Sequence, residues 1–191
     1  QYPRSPSGKS MLVGLTGRNA SGKSTFVEWF SAKGLRSVSC SDSIRAWLAD
    51  QGIESTREAL IEGGRELRRQ GGGGVLAEML LDILSGDDAV VDSIRTPAEV
   101  QALRKRGDFF LIEVRADEDS RWERMNLRGR AGDPVDKHVF LKQEEAEASS
   151  KDEAGQALDA TAELADITID NDGTLEELEM KLEEVWSDLS Q

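Results

Sequence analysis

The chain has 191 residues, 38% of them hydrophobic, enough for one domain with one sizeable core. Its net charge of −13 sets up an average field that repels a phosphate backbone, which argues against broad nucleic-acid binding. A single cysteine, Cys40, excludes an internal disulfide, and one histidine beside it cannot build a Cys/His zinc site.

In chain order, residues 1–10 mix Pro, Ser, Gly and Lys without apolar periodicity and read as a loose tail, leaving 11–190 as the domain. Beyond them, short β-rich runs alternate with amphipathic stretches. The strands are expected at Met11–Thr16, Leu35–Ser39, Ala89–Asp92, Phe109–Val114 and Ile167–Ile169. Helices are expected at Lys23–Lys33, Ser43–Gln51, Thr56–Arg69, Val75–Leu84, Pro97–Arg106, Asp119–Arg128, Pro134–Ala148, Ala154–Leu164 and Leu175–Leu189. Strands separated by helices imply a five-stranded parallel sheet in a three-layer α/β/α sandwich, with no internal domain boundary. The glycine run Gly71–Gly74 cannot sit inside a stable helix and reads as a hinge or a flexible loop. No apolar run approaches the ~20 residues of a membrane span, and the start shows no secretory pattern, so a cytoplasmic protein without a membrane partner is expected.

The strongest motif is Gly17-Arg18-Asn19-Ala20-Ser21-Gly22-Lys23-Ser24, which fits G-x-x-x-x-G-K-[ST] between the first strand and the first helix. Its glycines let backbone N–H groups turn inward around phosphates, the helix N-terminus adds positive potential, and Lys23 can reach the β- and γ-phosphates. Ser24 is the expected Mg2+ ligand, and Thr25 continues the loop. The similar Gly8-Lys9-Ser10 has Pro3 where the first glycine is needed and fails.

Two Asp/Arg pairs follow at strand ends, where open α/β sheets hold their ligands. Asp42 and Arg45 follow the second strand; Asp42 could orient an acceptor oxygen or simply cap the next helix. Asp92 and Arg95 follow the third strand, Asp92 as a second Mg2+ ligand and Arg95 as an anion clamp. Further on, Arg121, Arg124 and Arg128 share one helical face and lead into Gly129-Arg130-Ala131-Gly132-Asp133-Pro134, a short lid able to carry cations over a transferring phosphoryl group. Arg65, Arg68, Arg69 and His138 read as surface residues, and Cys40 as a small buried side chain.

These residues resemble the nucleoside-monophosphate kinases and dephospho-CoA kinase. The resemblance spans nearly the whole domain and is closest to the kinase-like domain associated with deoxycytidylate deaminases, through Gly14–Lys23 and Asp92–Val100. It implies ATP and Mg2+, a (deoxy)nucleotide-like acceptor gripped by Arg45 and Arg95, and lid arginines Arg124, Arg128 and Arg130. It also implies an adenine placed against Asn171, Asp172 and Gly173, and a possible deaminase partner. Lys23, Asp42 and Arg128 are then the expected catalytic residues, with Gly17, Asn19, Ala20, Ser21, Gly22, Lys23, Ser24 and Thr25 around the triphosphate. The chain departs from dephospho-CoA kinase at Cys40, which stands where the first residue of that family's Asp-x-Asp pair would be, and it lacks the long adenylate-kinase lid insertion. A dephospho-CoA kinase, and a module that binds ATP or dNTP without turnover, are the alternative readings.

Overall fold

The computed structural model describes residues 10–149 and 157–191. Save for Ser10, the tail lies outside them, as does the start of the helix expected over Ala154–Leu164. The elements run β1 (Leu12–Thr16), α1 (Lys23–Ala32), β2 (Arg36–Ser39), α2 (Cys40–Asp50), α3 (Arg57–Gly71), α4 (Val75–Leu84), β3 (Ala89–Asp92) and α5 (Pro97–Arg104). They continue with β4 (Phe109–Arg115), α6 (Glu118–Arg128), α7 (Lys137–Ser149), α8 (Leu158–Ala162), β5 (Ile167–Asp170) and α9 (Leu175–Leu189).

The sheet has five strands in the order β2-β3-β1-β4-β5, and every neighbouring pair is parallel. Strand alternation sends Leu12, Ala89, Val91 and Leu111 into one core, beneath α2, α4 and α5. Val13, Leu15, Val90, Ile112, Val114 and Ile169 enter the other, against Phe26 and Phe30 of α1 and Leu178 and Leu182 of α9. The helix pairs at i and i+4 each present one apolar stripe. The result is the expected three-layer sandwich, with central β1 feeding its loop into the crevice between β3 and β4.

Helix starts follow their caps. Thr56, Thr96, Asp117 and Thr174 each accept a backbone N–H three residues on. The clearest departure is α2, which begins at Cys40 instead of Ser43. Extended Ser39 serves as its N-cap and donates its N–H to Asp42 Oδ2 at 2.8 Å, one arm of a capping box that draws the first turn back onto the strand end. The glycine run does interrupt the helices: α3 ends at Gly71 and is capped by Gly72, whose φ of 88 suits glycine. No helix among the described residues is long and apolar enough to cross a membrane.

Gly14, in the middle of β1, is required by packing. A Cβ there would lie 2.5 Å from Ile94 Cδ1 and 2.6 Å from the Phe109 ring. Gly14→Ala is therefore expected to lower unfolding free energy by ~1–3 kcal/mol through overpacking, read as a lower urea midpoint at unchanged m-value. An unchanged midpoint would show that Ile94 and Phe109 yield freely.

Candidate functional site

The loop after β1 closes on itself. Ser21 N donates to Arg18 O at 3.2 Å, Thr25 N to Gly22 O at 3.1 Å, and Ala20 takes a left-handed φ of 61. Both motif glycines are obligatory. A side chain on Gly17 would run into the Val114 carbonyl, and one on Gly22 (φ 100) would run into Asn171 Nδ2. Asn171 itself donates that amide to Ser21 O at 3.0 Å, so the turn after β5 is docked on the loop. Lys23 Nζ folds back onto the loop, donating to Gly17 O at 2.8 Å and Arg18 O at 2.9 Å.

Beside the loop lies a cavity of 530 Å3, lined by Asn19, Ala20, Gly22, Lys23, Ser24, Thr25, Asp92, Ser93, Arg95, Arg124, Arg128, Arg130, Asn171 and Leu175. Residues from four separate parts of the sequence thus meet. Burial pushes the Lys23 ammonium down to about 8; the neighbouring Arg95 and Arg128 guanidiniums push the same way, and Asp92 and Glu144 oppose them. Arg95 is half-buried and, among the described residues, has no carboxylate partner. Ser93, just before it, has a left-handed φ of 55 and donates its hydroxyl to Asp92 Oδ1 at 2.9 Å. Glu99 holds this turn from beneath, accepting Arg95 N at 3.2 Å and Thr96 Oγ1 at 3.0 Å.

The three arginines of the α6 face have separate positions. Arg121 is buried away from this cavity, against Glu144. Arg124 spans backbone carbonyls, Asn171 O at 2.7 Å and Ala20 O and Ser21 O at 3.3 Å each. Arg128 makes a two-pronged pair with Asp133, 3.0 Å on each prong, and Asp133 also accepts Arg130 N at 3.1 Å. That pairing holds the Asp133 carboxyl below its usual range.

Other expected residues fall elsewhere. Gly17 and Ser21 line a separate 360 Å3 cavity, together with Asp172. Asp172 accepts Asp117 N at 2.9 Å, and Gly173 is exposed near Glu177. Asp42 and Arg45 are outside the 530 Å3 lining and pair with each other at 3.0 Å. Their helix nonetheless starts next door, because Ser39 and Asp92 are register partners. Cys40 is buried, and burial, helped by Glu99, pushes its thiol well up. Leu175 is a lining residue that no motif announced, and Ser93 lines the cavity from within the Asp92–Arg95 segment without having been singled out. Arg65 and His138 are exposed, while Arg68 is half-buried over Gly64.

Ser24 and Asp92 offer oxygen ligands on one cavity. Among the described residues no group of three or more His, Cys, Asp or Glu could hold a metal. That donor set fits Mg2+, which keeps its waters and takes one or two protein oxygens beside phosphate oxygens.

A parallel sheet in this order with a phosphate loop after its central strand defines a P-loop kinase fold. Shikimate kinase from Bacteroides thetaiotaomicron shares it at a TM-score of 0.56 and 15% identity, over 95% of this chain and 99% of that one. A sugar kinase from a Janibacter species does so at 0.55 and 17%, over 95% and 96%. In sequence, the chain is 30% identical over 185 residues to the UPF0200 protein of Pyrococcus horikoshii, covering 93% of this chain and 96% of the relative. The chain belongs to the UPF0200 family. No protein-family model matches it.

The Lys23 environment predicts a pH-dependent cost. Below about 8 both folded and unfolded chains carry the proton, and the penalty of burying it is complete. Between about 8 and the ordinary 10.5 the folded chain releases its proton first, the unfolded chain binds more, and stability rises with pH. Lys23→Met should therefore be more stable than wild type at pH 7, with the difference shrinking by pH 10. The raised Cys40 thiol acts oppositely above pH 9 but is common to both proteins. A difference in melting temperature that stays constant from pH 7 to 10 would contradict the depressed lysine.

Proposed function

We propose that this protein transfers the γ-phosphate of Mg-ATP to a nucleotide-like acceptor, most simply a (deoxy)nucleoside monophosphate. The observation that carries the reading is the convergence of Lys23, Arg95 and Arg128 on one cavity at the phosphate loop, a cationic lining that suits a polyanion. Backbone N–H groups of the loop and Lys23 hold the β- and γ-phosphates, while Arg124 and Asn171 border the space left for the base. Mg2+, held by Ser24 and Asp92, neutralises phosphate charge when bound.

Chemically, an acceptor oxygen attacks the γ-phosphorus, the bond to the β–γ bridging oxygen breaks, and ADP leaves. The protein's part is placement and charge. Arg95 holds the acceptor anion, and Arg128, swung off Asp133, covers the transferring group. Asp42 and Arg45 belong to the acceptor side, since α2 starts beside the end of β3. Nucleotide chemistry for the acceptor is supported by the sequence resemblance to nucleotide kinases. The fold itself also carries sugar and shikimate kinases.

An acceptor screen decides. Mg-ATP would be incubated with each nucleoside and deoxynucleoside monophosphate, dephospho-CoA, shikimate and simple sugars, with ADP release as the readout. Multiple turnover with a nucleotide supports the proposal; turnover with shikimate or a sugar alone replaces the acceptor, and no turnover with tight ATP binding points to a sensor. With the active acceptor, Arg95→Ala should raise its KM by ~10-fold or more with little change for ATP, as expected for a lost charge-assisted phosphate contact. Equal effects on both substrates would remove Arg95 from the acceptor side.

The lid yields a separate expectation. Arg128→Ala should lower kcat by ~100-fold or more while ATP affinity stays within a few-fold, because its contact forms mainly in the transition state. A loss confined to ATP affinity would instead make Arg128 a ground-state contact.

A further inference from the structure

The second position of the phosphate loop, Arg18, lines none of the 530 Å3 phosphate cavity. Its side chain turns to the 360 Å3 cavity, where Nη1 donates to Glu144 Oε2 at 3.3 Å and Nη2 to Asp159 Oδ1 at 3.0 Å. Arg121 Nη1 reaches the same Glu144 oxygen at 2.5 Å, while its Nε donates to Ala116 O at 3.1 Å. Arg121 and Glu144 are 5% and 6% exposed, so the pair is set within the fold. Phe140 of α7 closes over the Arg121 guanidinium, 5.6 Å from ring to cation, and Trp122 packs on Phe140 at 5.4 Å.

An arrangement of this kind is not explained by stability. A buried ion pair recovers little beyond its desolvation, and an apolar set of similar volume often does as well. Among the described residues Glu144 Oε1 is moreover buried without a hydrogen-bond partner, which costs still more. What the network does join is α7, α6 and α8 to one loop residue, and the backbone carbonyl of that residue is one of the two that accept Lys23 Nζ, at 2.9 Å. A line of direct contacts thus runs from Glu144 through Arg18 to the ammonium.

We propose that Glu144 is a positioning residue for triphosphate binding: its carboxylate, shared by Arg18 and Arg121, fixes the phosphate loop against α6 and α7 and keeps Arg18 out of the phosphate cavity. It touches no phosphate itself. Its effect passes through Arg18, so α6, α7 and the loop hold their shapes together. The inference rests on the reading of the loop as a Mg-ATP site, but the placement of the loop can be measured without ligand.

The test is a double-mutant cycle of Glu144→Gln and Arg18→Gln, read by calorimetric Mg-ATP affinity, by amide exchange of Arg18–Gly22 in the free protein, and by melting temperature. Each single variant should weaken Mg-ATP by ~10–100-fold, as misplacement of a binding loop does, and the double variant should be no worse than the weaker single. Exchange of the loop amides should rise in both singles while that of the β1 amides stays constant. Unchanged affinity and loop exchange with a lowered melting temperature would make the network merely structural and overturn the inference, as would effects that multiply in the double variant. If wild type binds no Mg-ATP, the phosphotransfer reading falls, and loop exchange alone then decides for or against Glu144. Arg18→Gln leaves the buried Arg121–Glu144 pair in place, so it keeps the test open even if Glu144→Gln does not fold; unchanged loop exchange in Arg18→Gln overturns the proposal by itself.

Discussion

The structure turns on one half-buried cation. Among the described residues Lys23 has no carboxylate bonded to it; its ammonium rests on the carbonyls of its own loop, at Gly17 and Arg18, and burial, with two guanidiniums nearby, lowers its hold on the proton. Such a charge is tolerated only where the surrounding backbone is rigid, because any slack would let it turn to water. The close packing of Gly17 on Val114, the amide of Asn171 on Ser21, and the bracing of Arg18 by α7 and α8 are the means of that rigidity. The parallel sheet contributes by ending β1, β3 and β4 at a common edge, so that the loop, Asp92 with Arg95, and α6 arise around a single point.

Much of this was legible in the chain. All five strands were readable because each is a short β-rich run placed between amphipathic stretches, and the loop because its glycines, lysine and serine have a fixed spacing with a mechanical reason. Asp92 and Arg95 could be placed because a residue just past a parallel strand has nowhere to go but the ligand edge. Local competition was harder to read. Asp42 had a capping role and a chemical role open to it, and its carboxylate is shared between Ser39 N and Arg45. Arg121, Arg124 and Arg128 were expected to share one face, yet Arg121 is buried against Glu144 while the other two line the cavity, because spacing along a helix does not say which partner each meets.

The bracing of Arg18 was not legible at all. Glu144 sits in an acidic stretch that reads as solvent-facing, and α7 has no clear apolar stripe to say which way it turns. The bond joins residues 126 positions apart, and nothing local in either segment anticipates it. Long-range ion pairs between polar segments leave no periodic trace, since the same residue types serve equally well in water.

One further consequence comes from the Arg128–Asp133 pair. Asp133 is an anion already seated on the guanidinium, held in ionised form by that very contact, and it is only five positions away along the chain. It acts as a tethered rival to any oxyanion that approaches, present at a high effective concentration and never diluted. A singly charged carboxylate arriving from solution offers Arg128 nothing that it does not already have. A phosphoryl group, with more charge and three oxygens, does. On the proposed phosphotransfer reading, Arg128 would work as a threshold, ignoring weak anions and yielding only to a ligand whose charge density exceeds that of its own resident.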